Sequence, residues 1–182
     1  MYRSRYVGGV TSGSPTARAG CGSALERVAD GSLRGRGSGM PHSPAMGHTE
    51  LDRDAAHAFF GDPPTGPVVM LNLLRFNEVA DYTGHPELAP SEPISGRKAY
   101  GVYSERTIPL LEAAGAAVEL LAEASVSLIG PADEHWDTAL LVRYPSAQAF
   151  RDMTSSPEYL AGYGHRAAAL ADSRLIPLVP RS

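Results

Sequence analysis

The run Val68 to Leu74, VVMLNLL, is apolar at every position except Asn72, which is the pattern of a central strand covered on both sides. Upstream of it, Thr49 and Asp52 have the spacing of a capping box. Leu51, Ala55 and Phe59 follow at helical intervals and Gly61 supplies a stop, so a short helix precedes the sheet. From Asn77 to Ser95 the chain turns polar and carries Asp81, Gly84, Pro86, Pro90 and Pro93. A connection this long inside a compact domain reads either as a lid or as an ordinary insertion.

Gly96 to Ala114 has the periodicity of a helix, with Tyr100, Tyr103, Thr107, Leu110 and Leu111 on adjoining faces and Gly115 as its end. Pro109 should bend it, because it removes the hydrogen bond to the Glu105 carbonyl. Between Val118 and Ile129 alanine, leucine and glutamate suit a helix. The apolar positions nevertheless alternate with Glu119, Glu123, Ser125 and Ser127, and Gly130-Pro131 closes the run, so a strand is expected. Thr138 to Tyr144 is a third strand, with Leu140, Val142 and Tyr144 on one face and Leu141 and Arg143 on the other. Ser146 is a natural N-cap, and Ser156-Pro157-Glu158 supplies cap, first-turn proline and first-turn acid for a further helix. Arg174 to Val179 forms the last strand, and Pro177 assigns it to an edge. The order is β-α-β-β-α-β after an N-terminal helix, an α+β fold with the first and third strands central. Both long helices then cover one sheet face, and the apolar opposite face needs shelter.

The stretch Val142 to Arg166, VRYPSAQAFRDMTSSPEYLAGYGHR, joins a strand end to two capped helices. It resembles the C-terminal half of the bacterial proteins grouped as domain of unknown function 1330, in the dimeric α/β-barrel superfamily with its ferredoxin-like fold. The resemblance implies a homodimer in which two sheets pack face to face and help to shape a cavity. It implies no particular activity. Superfamily members include cofactor-independent monooxygenases, cyclases, decarboxylating or dehalogenating enzymes and haem degraders, which points to an oxidisable or enolisable organic substrate. Haem-degrading relatives use an Asn on the first strand with a Trp and a His near the last helices. Asn72 and His165 would be the counterparts, but Met153 stands where the tryptophan would be and the spacing to the histidine differs.

At 182 residues with 43% apolar content, the chain can bury one core. Residues 48–182 are expected to form that domain, and residues 1–47, rich in Gly, Ser, Arg and Pro, a disordered tail. Arginine outnumbers lysine fifteen to one, as in GC-rich coding, so the tail also reads as translation from an upstream start codon with Met40 or Met46 as the working start. Six arginines against Glu26 and Asp30 put +4 on residues 1–46 and leave −8 on the rest. An acidic folded part argues against a nucleic-acid groove. The single cysteine, Cys21, excludes an intrachain disulfide and points to a reducing cytoplasm. No apolar run approaches the roughly 20 residues that span a bilayer, so no membrane partner is expected.

If the second and third strands form a simple hairpin through Gly130 to His135, residues summing to 266 face one another, which sets Glu123 opposite Arg143 and Ser125 opposite Leu141. Arg143 with Glu123 is then either a cross-strand ion pair or an anchor for a carboxylate or enolate. Asn72, in an apolar strand, needs a partner, because a buried amide without one costs about 1–3 kcal/mol. That partner is either the protein or a substrate oxygen. Tyr103 reads as core area or as a phenol reaching a pocket. His165 stands out as a base, since the adjacent Arg166 would lower its pKa, although a solvated histidine and an Arg166–Asp172 pair explain the same residues. Gly162 and Gly164 suggest a close approach or a local break. No histidine spacing marks a metal site, and no cofactor is expected. In the most concrete version His165 removes a proton, Asn72 and Arg143 stabilise the enolate, and Tyr103, Glu123, Ser125 and Arg166 contact the substrate. The other version is a non-enzymatic ligand-binding or stress-associated homodimer.

Overall fold

A computed structural model of the chain describes residues 47–181. Of the expected tail, residues 1–47, all but Gly47 lie outside them, as do the proposed start sites Met40 and Met46. The elements are α1 (Arg53–Gly61), β1 (Val68–Phe76), a 3-10 turn (Pro86–Leu88), α2 (Gly96–Ala113), β2 (Ala117–Glu123), β3 (Thr138–Tyr144), α3 (Ala147–Thr154), α4 (Pro157–Ala169) and β4 (Leu170–Leu178). One antiparallel sheet has the order β2-β3-β1-β4, so β1 and β3 are central and β2 and β4 are edges. This is the ferredoxin-like arrangement read from the sequence.

Local chemistry sets the helix starts. The hydroxyls of Ser95, Ser146 and Ser156 accept hydrogen bonds from the amides of Lys98, Ala149 and Tyr159, and Pro157 fills the first turn of α4. At α1 the cap is Asp52, whose carboxylate accepts from the Ala55 amide, and not Thr49 as the capping-box spacing suggested. Residues 47–49 are occupied elsewhere. The His48 amide donates to Asp172, and the His48 carbonyl accepts from the Ser173 amide. A Cβ on Gly47 would run into the Ala171 carbonyl, so this strap needs glycine. Helix α2 continues through Pro109.

The even positions of β1 face the helices. Val68 and Met70 pack with Val142, Tyr144, Ala147 and Met153, while Leu74 packs with Tyr82, Ala99, Ala168 and Leu170. Leu71, Leu73, Leu141 and Ile176 share the other face, joined by Leu120 and Leu178. Among the described residues no helix lies over that face, and Leu120, Ile176 and Leu178 are 45%, 42% and 39% exposed. Its polar end is a charge cluster. Asp172 accepts from Arg174 at 2.6 Å and lies 3.7 Å from Arg75, and the Arg174 guanidinium stands 5.0 Å from the Trp136 ring centre. Burial alone would raise the Asp172 pKa, but hydrogen bonds from His48, Arg174 and Ser173 outweigh it and hold the carboxyl below its usual range. Trp136 is buried beside this cluster.

The β2–β3 register differs from expectation. Ala117 pairs with Arg143 and Glu123 with Thr138, with an irregularity between Val118 and Leu120. The hairpin continues past β2 through the Val126–His135 bridge, and its turn is closed by the Glu134 amide donating to Pro131. Two physical features moved the register: a turn centred nearer the glycine, and one extra residue at Glu119. Glu119 takes the ion pair with Arg143 that had been assigned to Glu123. Strand β4 begins at Leu170, directly after α4 and four residues earlier than the sequence suggested.

Candidate functional site

Helix α4 packs against α2 on the covered face of the sheet. Gly164 makes room for the polar connection to lie on α4, whereas a side chain at Gly162 would meet α2 at an ordinary contact distance. A Cβ on Gly162 would lie 3.4 Å from Cδ of Arg106 on α2, and one on Gly164 would lie 2.6 Å from Leu88 and 2.7 Å from His85. The polar connection therefore rests on α4 and is fastened there: the Asn77 amide donates to the Ala169 carbonyl, and the Asn77 side chain and the Asp81 amide both donate to that of Ala168.

The same contact buries His165. Its Nδ1 lies 2.9 Å from the Tyr82 hydroxyl, and only 7% of the residue is exposed, which overturns the solvated reading. Burial lowers its pKa first and Arg106 second; the cation responsible is across the helix pair, not the adjacent Arg166. Arg166, 9% exposed, donates to the Thr49 carbonyl at 2.9 Å and to the Ser173 hydroxyl at 3.4 Å. The suggested Asp172 partner is engaged by Arg75 and Arg174. Among the described residues no carboxylate forms an ion pair with Arg166.

Around this guanidinium stand aromatic side chains. Its carbon is 5.9 Å from the Tyr163 ring centre. The Tyr103 hydroxyl donates to that of Tyr159 at 3.2 Å, and the rings of Tyr100 and Tyr103 are 5.3 Å apart. Burial, and next the neighbouring Tyr103, push the phenols of Tyr100 and Tyr159 well above their ordinary pKa, with Arg166 pulling weakly the other way. Asn72 is on the same face, paired with Leu140 and Leu175, and its amide donates to the Met70 carbonyl at 3.2 Å.

Asn72, Tyr103, His165 and Arg166 thus share the helix-covered side. Arg143 pairs with Val69 on the opposite face, so the sheet separates it from Asn72 and His165. Glu123 and Ser125 are exposed on the hairpin, away from Arg143. Sequence reasoning missed Tyr82 and Tyr159. Tyr82 carried a signal, as a phenol isolated in a polar connection. The Thr49 contact to Arg166 carried none, since its acceptor is backbone. Among the described residues no three His, Cys, Asp or Glu side chains gather to hold a metal, and no helix is long and apolar enough to cross a membrane.

No family model matches the chain, and no curated protein matches it. The resemblance to domain of unknown function 1330 accordingly has no family model behind it. Among solved structures, the methylated RPA0582 protein is 35% identical with a TM-score of 0.68, over 75% of this chain and 97% of that one. The RPA0582 protein of unknown function from Rhodopseudomonas palustris is 35% identical with a TM-score of 0.66, over 75% and 98%. A dimeric protein of unknown function with a ferredoxin-like fold from Bacteroides fragilis is more distant, at 14% identity and a TM-score of 0.38 over 62% and 94%. On that identity and coverage, the chain belongs to the family of the Rhodopseudomonas palustris RPA0582 protein.

Proposed function

We propose that the protein is a cytoplasmic homodimer of the dimeric α/β-barrel type, akin to the domain of unknown function 1330 group, that binds a small organic acid and enolises it without a cofactor. The observation that carries this reading is Arg166. A buried guanidinium held by neutral acceptors, with no carboxylate partner among the described residues, keeps a full charge available to an anion. The phenols of Tyr100 and Tyr159, kept protonated, are donors of the kind that stabilises a developing oxyanion.

His165 supplies the base. In the tautomer whose Nδ1–H donates to the Tyr82 oxygen, the Nε2 lone pair is free, and the lowered pKa keeps the ring neutral. Nε2 takes the proton α to the substrate carbonyl. The electron pair of that C–H bond moves onto the carbonyl oxygen, and the resulting enolate is held by Arg166 and the phenols. Return of the proton from the imidazolium completes an isomerisation or exchange. Arg166 takes the anion-holding role that the sequence gave to Arg143. The bare sheet face of Leu71, Leu73, Leu141 and Ile176 supports the homodimer, since an apolar surface of this kind is sheltered by a second copy.

The test is deuterium wash-in at the α-carbon of a panel of β-keto acids in D2O, followed by proton NMR. Catalysed exchange that His165→Gln abolishes and Arg166→Lys weakens supports the enzyme. Saturable binding with no wash-in leaves a ligand-binding homodimer, and neither binding nor exchange overturns the reading.

A further inference from the structure

We propose that the groove between α1 and α3 binds a small amphipathic anion, an apolar chain or ring ended by one carboxylate or phosphate. Helix α1 presents Arg53, Ala56, His57 and Phe60 at i, i+3, i+4 and i+7, hence on one side. None of the residues of α1 is buried, and Arg53 and His57 on this side are exposed. With Leu51 and Arg151 they line a groove of about 320 Å³, which is at the small end of ligand sites.

The floor is apolar and fixed. Phe60 stacks on Phe150 with ring centres 6.2 Å apart and planes 9° from parallel. The Arg151 guanidinium stands 5.6 Å from the Phe60 ring centre, which places a cation at the rim of an aromatic surface. Neither Arg53 nor Arg151 forms an ion pair among the described residues. Two neighbouring acids have other partners, Asp52 capping α1 at the Ala55 amide and Asp152 accepting from Gln148 at 2.6 Å, while Asp54 is turned about 100° from Arg53 around the helix. Two unpaired guanidiniums and an imidazole beside an apolar floor, in a domain of net charge −8 by subtraction, match one anionic head and one apolar body. Arg166 contributes nothing to this groove.

The test is an amide NMR titration of the full chain with octanoate and with octyl phosphate, using octanol and inorganic phosphate as controls. Saturable shifts over Arg53 to Gly61 and around Arg151, weakened about tenfold or more in the R53Q/R151Q double variant, support the proposal. The tighter of the two anions identifies the head group. Octanol or inorganic phosphate binding as well as the amphiphiles, shifts confined to other elements, unchanged affinity in the double variant, or no saturation at millimolar concentration each overturns it. The substituted residues are solvent-exposed, and far-UV circular dichroism verifies that the variant is folded.

Discussion

The Tyr82 hydroxyl lies 2.9 Å from Nδ1 of His165, with the two rings edge to face at 5.7 Å. One residue belongs to the polar connection and the other to α4, so the bond both orients the imidazole and holds the connection down. Tyr82→Phe leaves a buried ring nitrogen without its partner, and the expected loss is about 1–3 kcal/mol of stability. Urea denaturation measures it. Amide exchange over Ala80 to His85 should quicken in the same variant, and an unchanged rate there would show that the bond does not fasten the connection.

Glycines on neighbouring helices should respond oppositely to alanine. At Gly164 the added methyl meets Leu88 and His85 at 2.6 and 2.7 Å, whereas at Gly101 in α2 no described residue beyond its own stretch of helix lies within 4 Å. Gly164→Ala should therefore destabilise the fold and loosen the connection. Gly101→Ala should stabilise by about 0.5–1 kcal/mol through helix propensity alone. Thermal melts of the two variants decide, and equal shifts would contradict the close approach.

Burial first, and the Arg106 charge second, hold the His165 imidazole below its ordinary range. The contribution of its neutral form to stability is complete above the unfolded value of about 6.5, and it is lost as pH falls through the lowered folded value. Arg106→Gln should move the His165 titration upward, read from the imidazole Cε1–H resonance. A titration indifferent to Arg106 would contradict the placement of α2 against α4.

The register of β2 on β3 is open to a double-mutant cycle. Arg143 and Glu119 are partly exposed and paired, so a coupling of about 0.2–1 kcal/mol is expected. Arg143 with Glu123 should show none, because Glu123 pairs with Thr138. Coupling at Glu123 in place of Glu119 would restore the simple hairpin.

Leu74 is fully buried between the sheet and α4. Leu74→Ala should cost about 2–5 kcal/mol, measured by chemical denaturation, against a much smaller loss for Leu128→Ala at the 97% exposed hairpin tip.

What the sequence shows about this fold follows from interactions local in the chain. Ser146 and Ser156 announce α3 and α4 because a capping hydroxyl acts within three residues. Pro177 places β4 at an edge because it lacks an N–H. The Glu123–Arg143 pairing failed because register depends on a turn length and an irregularity at Glu119, neither of which alternation encodes. In the candidate site, His165 was legible as a histidine beside glycines. Its partner Tyr82, 83 residues away, and the Thr49 carbonyl that binds Arg166 arise from tertiary packing.

Native mass spectrometry of the purified protein tests the central claim most directly, since it reads assembly and ligand together. The account predicts a species of twice the 19.2 kDa chain that carries a small organic acid, with the added mass lost from Arg166→Lys. A lone chain, or a dimer whose bound mass is absent or identical in the wild type and Arg166→Lys, would contradict it.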